Sequence, residues 1–172
     1  GFFFPQFLFA MQYINVTIEL LKTYSSSKSM KELLALAIWF KMQHSNSVIW
    51  NVTEYKLRKG LRIGKVKAER LIRDMKESSL FSVEGNKVVV SSFRDHTTKW
   101  TRKGKEYRGG MVCKFEVKEY TMKELYNLIN EKLFVYPICA AEHKDCCLKA
   151  SDDGKVGARG KAITLGQFQK AI

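Results

Sequence analysis

The sequence predicts an α+β chain, mainly helical, and three stretches carry that prediction. Val52 to Phe81 reads as two short helices around a tight turn, the second apolar on one side and basic on the rest. Leu80 to Val83 and Lys87 to Val90 are extended runs around a turn-forming Glu84-Gly85-Asn86, the composition of a hairpin. Ile14, Val16, Ile18 and Leu20 alternate with Asn15, Thr17 and Glu19, the period of a half-buried strand.

Taken in order, the chain opens on its longest apolar stretch, Gly1 to Ala10. That stretch is too short to span a bilayer and lacks the basic start of a signal peptide. With Met11 directly after it, residues 1–10 are expected to be an upstream or non-native segment, the alternative being a small hydrophobic packing arm. After the strand, the polar run Thr23 to Lys28 leads into a helix over 30–43. Ser29 and Glu32 have the spacing of a capping box, in which each side chain satisfies a free backbone N–H. Leu33, Leu34, Leu36, Ala37, Ile38 and Phe40 make this helix broadly apolar, as a central buried helix requires. Val48-Ile49-Trp50 reads as a short strand. Leu57 and Leu61 lie one turn apart on the next helix, and Leu61-Arg62-Ile63-Gly64 makes the turn. In the basic helix, 64–77, Ala68, Leu71, Ile72 and Met75 form the buried stripe, leaving Lys65, Lys67, Arg70, Arg73 and Lys76 to face outward.

The segment 94–110 is a basic linker or hairpin. Arg94, Lys99, Arg102, Lys103, Lys105 and Arg108 outnumber Asp95 and Glu106, with Trp100 and Tyr107 interleaved. Lys103-Gly104-Lys105 reads as its tip and Gly109-Gly110 as a hinge. It could grip phosphates or serve as a plain solvated connection. Met111, Cys113, Phe115 and Val117 alternate like a strand. Thr121-Met122-Lys123-Glu124-Leu125 then repeats Ser29-Met30-Lys31-Glu32-Leu33, opening a helix with Leu125, Leu128, Ile129 and Leu133 as its stripe. Residues 151–160 are loop-like. Ile163 to Ile172, with Thr164 as cap, reads as the opening helix of one more helix-turn-helix, so the chain is expected to be a piece of a longer protein. The expected division is 1–10, a domain over 11–93, the basic segment 94–110, and a second, truncated unit over 111–172.

Thirty Lys and Arg against seventeen Asp and Glu give a formal charge of +13 and a pI near 9.6. Such an excess favours polyanionic partners through counterion release. Residues 53–76 hold nine basic side chains against three acidic ones (Glu54, Glu69, Asp74), so the charge is concentrated there.

Helix, turn, basic helix and hairpin, in that order, resemble a winged helix-turn-helix, a DNA-reading fold. The resemblance covers roughly residues 29–91. Ile63 matches the apolar residue before the recognition helix, Gly64 stands where Ser or Thr is usual, and Ser78-Ser79-Leu80-Phe81 leads into the wing. The similarity implies an α+β winged helix-turn-helix with a β-hairpin wing, followed by a partial second winged-helix unit. It implies double-stranded DNA as partner, with a homodimer left open. Lys65, Val66, Lys67, Glu69 and Arg70 would meet base edges, with Arg73 further along the same helix. Arg58, Lys59 and Arg62 would hold phosphates, joined by Lys87 at the wing and by Arg102, Lys103 and Lys105. Tandem winged helices resemble phage and plasmid replication initiators and also transcriptional regulators of mobile elements. The alternative is a winged-helix module that binds protein partners through helix 30–43.

Enzymatic chemistry is not expected. His44, His96 and His143 are scattered, and neither a phosphate-cradling glycine loop nor paired acids emerge; Asp152-Asp153 lies in a loop. Cys139, His143, Cys146 and Cys147 cluster, but without the paired spacing of a zinc site; reduced cysteines in a cytoplasmic protein are the simpler account. No metal, cofactor, small-molecule ligand or membrane partner is predicted.

Overall fold

The computed structural model describes residues 12–108 and 111–135. The fold is mixed α+β. In order come β1 (Tyr13–Thr17), α1 (Ile18–Thr23), α2 (Lys28–Gln43), β2 (Val48–Trp50), α3 (Glu54–Leu61) and α4 (Lys65–Glu77). There follow β3 (Phe81–Glu84), β4 (Lys87–Val90), a 3-10 turn (Phe93–His96), β5 (Lys99–Arg102), β6 (Lys105–Arg108) and β7 (Val112–Glu116). A last helix, α5, covers 122–135.

The first strand is shorter than its alternation predicts. Thr17 is extended and its hydroxyl accepts from Leu20 N at 3.2 Å, capping α1 and turning the chain out of the strand. Ile18, Leu20 and Leu21 are therefore buried from a helix rather than a strand. The expected start of α2 is also corrected. Ser27, not Ser29, is the cap, its Oγ accepting from Met30 N at 3.2 Å. Glu32 then lies too far along the helix to return to the cap, and it turns inward instead. Every residue from Glu32 to Phe40 is buried, so α2 is surrounded by its own fold. It packs on β1, β4 and α4. Phe40 meets Phe81 edge-on, with ring centroids 6.1 Å apart. Only the ends of the helix, residues 28–31 and 41–43, are not buried.

Strand order in the central sheet is β2-β4-β3, all antiparallel. Ile49, Val88 and Val90 turn inward with Phe81, and Trp50 and Lys87 share the outer side. Gly85 turns the β3–β4 hairpin at φ 57°, a conformation that glycine adopts without steric cost. The basic segment forms a hairpin too, β5 with β6, turned by Lys103 and Gly104 at φ 52° and 76°.

β7 pairs antiparallel with β1, matching Val16 to Cys113 and Ile14 to Phe115. The expected boundary before residue 111 is thus corrected. The chain divides into compact units Gly1–Ile129 and Asn130–Ile172, so the first unit holds its own N-terminal strand and β7 in one sheet. Thr121 and Glu124 do form the predicted capping box, Thr121 N donating to Glu124 Oε1 at 3.0 Å and Glu124 N to Thr121 Oγ1 at 3.2 Å. The backbone and side-chain bonds to Thr121 hold the Glu124 carboxyl below its ordinary pKa. Residues 1–10, the Gly109-Gly110 hinge, the Cys139–Cys147 cluster, 151–160 and the helix read over 163–172 lie outside the described residues. Among the described residues, no helix is long and apolar enough to cross a membrane.

Candidate functional site

Thr53 opens α3 by accepting from Lys56 N at 3.2 Å, and Leu57 and Leu61 bury one side of that helix. The helix stops at Arg62, whose φ of 56° and ψ of 51° are left-handed. That conformation costs a residue with a Cβ about 1–2 kcal/mol, held here by the packing of Leu61 before it. Gly64, extended and without a side-chain bond, precedes α4.

Ala68, Leu71 and Met75, spaced i, i+3 and i+7, fix the rotation of α4. Ile72, expected in the same stripe, is only half-buried. The polar positions then separate into two strips. Lys65, Val66, Glu69, Arg73, Lys76 and Glu77 are exposed, and Val66 is 82% exposed. The other strip, Lys67, Arg70 and Asp74, is half-buried and faces α2.

That second strip corrects two of the expected base contacts. Lys67 Nζ lies 2.7 Å from Glu32 Oε2, and Arg70 Nη2 lies 2.5 Å from Glu32 Oε1. The Glu32 side chain is 2% exposed, so the two cations neutralise a carboxylate inside the fold. Arg70 Nε is buried without a hydrogen bond, 4.0 Å from Asp74 Oδ2. Lys67 and Arg70 join α4 to α2 and are not turned outward with Val66. Lys76, exposed on the outer strip, takes their place in the candidate surface. The sequence signal for Glu32 was a lone acid at the head of an apolar run. Nothing in its spacing named the partners.

Other predicted residues are dispersed. Arg58 pairs with Glu54 at 3.3 Å on the exposed side of α3, and Lys59 Nζ lies 5.7 Å from the Tyr55 ring centroid. Both stay accessible, as does Arg62. Lys87 is half-buried, opposite Trp50 on one strand and Glu84 on the other. Arg102, Lys103 and Lys105 are exposed at the β5–β6 tip, and Lys99 at the hairpin's base pairs with Glu106 at 3.0 Å. The base of that hairpin is tied to α1. Thr98 N lies 3.0 Å from Glu19 Oε2, and Thr98 Oγ1 donates to Glu19 Oε1 at 2.5 Å. These bonds, the side-chain one foremost, hold the Glu19 carboxyl below its ordinary pKa.

Among the described residues, no group of three or more His, Cys, Asp or Glu could hold a metal ion. Cys113 is buried, its Sγ donating to the Val16 carbonyl at 3.4 Å. Lys41 Nζ lies 3.2 Å from Ser47 Oγ and 4.6 Å from the Phe93 ring centroid. Burial lowers its pKa, and Asp95 partly opposes that shift. No protein-family model matches the chain, and neither a curated protein nor a solved structure matches it significantly.

Proposed function

We propose that the chain binds double-stranded DNA through a winged helix-turn-helix, with α3 and α4 as the helix pair, α4 as the recognition helix and β3–β4 as the wing. The single observation that carries the reading is the outer strip of α4. It sets three cations (Lys65, Arg73, Lys76), two acids (Glu69, Glu77) and an 82%-exposed valine along one face. A left-handed turn leads into that face and a hairpin follows it. The basic composition supports the same reading.

In this role Val66 meets a thymine methyl, while Glu69 and Arg73 reach base edges, Glu69 accepting from a cytosine amine and Arg73 donating to guanine. Lys65 and Lys76 hold phosphates at either end of the helix, with Arg58, Lys59 and Arg62 beside them. The biological role we infer is that of a transcriptional regulator or replication initiator of a phage, plasmid or other mobile element. A protein-docking role has less support, because residues 32–40 of α2 are buried.

The test is duplex binding by the double variant Lys65→Glu with Arg73→Glu. It should bind at least about 100-fold more weakly than the parent chain at low salt, with unchanged helical circular dichroism. Undiminished binding by a folded variant would sink the placement of α4.

A further inference from the structure

We infer that the cleft between α2, β2 and α3 is a binding site for a small aromatic carboxylate. The cleft encloses about 320 Å³, the lower end of the range for small-molecule sites. Its floor is apolar, with Phe40, Ile49 and Leu57 all buried. One wall is the Trp39 indole, which lies so close to the α3 backbone that a Cβ at Gly60 would collide with it, 2.7 Å from Cη2 alone. Glycine at 60 therefore gives this ring its place.

The rim has a different character. Tyr55 stands there, 63% exposed, and Lys56 and Lys59 line the same cleft. Lys56 Nζ donates to the Trp50 carbonyl at 3.0 Å, and Lys59 Nζ lies over the Tyr55 ring. An ammonium has three donors, so both can still serve an anion. None of the lining residues is Asp or Glu. Aromatic walls suit a planar ring by offset stacking, and two cations at the mouth suit one carboxylate. Gln43 and His44 also line the cleft, but the several hydroxyls of a sugar outnumber these two polar side chains over an apolar floor. The site shares Lys59 with the proposed phosphate contacts, and α3 leads through Arg62 directly to α4.

Titration of the ¹⁵N-labelled full chain with indole-3-acetate, and with neutral 3-methylindole, tests the assignment. Resonances of Gly60, Ile49 and the Trp39 indole N–H are followed. The expected result is saturable shifts confined to the cleft, with the carboxylate bound about ten-fold more tightly than the neutral ring. Lys56→Gln with Lys59→Gln should erase that preference and leave 3-methylindole affinity unchanged. No saturable shift at the cleft with either probe would overturn the site. Equal affinities in the parent chain, or a preference that survives the double substitution, would overturn the carboxylate.

Discussion

Replacing Lys67 and Arg70 together by methionine removes both cations that neutralise Glu32. The carboxylate is 2% exposed and the cations about a third exposed. A fully buried pair costs about 3–5 kcal/mol to break, and the partial exposure here reduces that to about 2–4 kcal/mol. The loss should appear as a lower urea midpoint with unchanged slope. Adding Glu32→Met to that background should restore most of it, since an apolar set of similar volume replaces a buried ion set at little cost. An unchanged midpoint in the double variant would show that Glu32 does not depend on these cations. By contrast, Val66→Ala removes only an exposed side chain, so the midpoint should move by less than about 0.5 kcal/mol. The sequence ranked Lys67 and Arg70 with Arg73 because helical period alone distinguishes buried from exposed. Which flank of α4 meets α2 is decided by packing between segments some forty residues apart, and no local pattern records it.

At the scale of elements, caps and ties give two further tests. Gly64 has backbone angles that serine adopts readily, and a Cβ there meets nothing within 4 Å. Gly64→Ser should therefore stabilise the fold by about 0.2–0.5 kcal/mol, because a hydroxyl then satisfies a first-turn N–H of α4. Thermal unfolding would read it, and a lowered midpoint would contradict the cap assignment. The tie between α1 and the β5–β6 hairpin should respond to acid. Glu19 has a folded pKa below its unfolded value, so its stabilisation is complete above the ordinary carboxylate range. It is lost as pH falls through the lower folded value. The protection factor of the Thr98 amide should fall in that window, whereas in Glu19→Gln it should be low already at neutral pH and insensitive to acid. Equal protection in both proteins would contradict the tie.

The elements themselves were unevenly legible. The pair α3 and α4 and the β3–β4 hairpin announce themselves through apolar period and a glycine turn, and the expected bounds of α4, β3 and β4 agree with the structure to within one residue. The start of α2 was not. The pattern Ser29 to Leu33 recurs as Thr121 to Leu125, yet only the second forms a capping box, because Ser27 captures the first helix two residues earlier. Likewise Ile18 and Leu20 suit a strand or a helix equally, and Thr17 decides between them by capping.

For the whole molecule, the pairing of β1 with β7 joins segments about a hundred residues apart, a relation that alternation in each strand cannot reveal. It places the basic hairpin inside the first unit instead of between two domains. Net charge, in contrast, was fully readable, and it bears on the central claim. A chain of +13 that contacts about six phosphates should lose affinity steeply as salt rises. The most direct measurement is fluorescence anisotropy of the full chain on random-sequence duplex DNA, titrated from low to physiological salt. Binding should depend on salt with a log–log slope of about −5. Absence of binding at low salt, or a slope near zero, would contradict it.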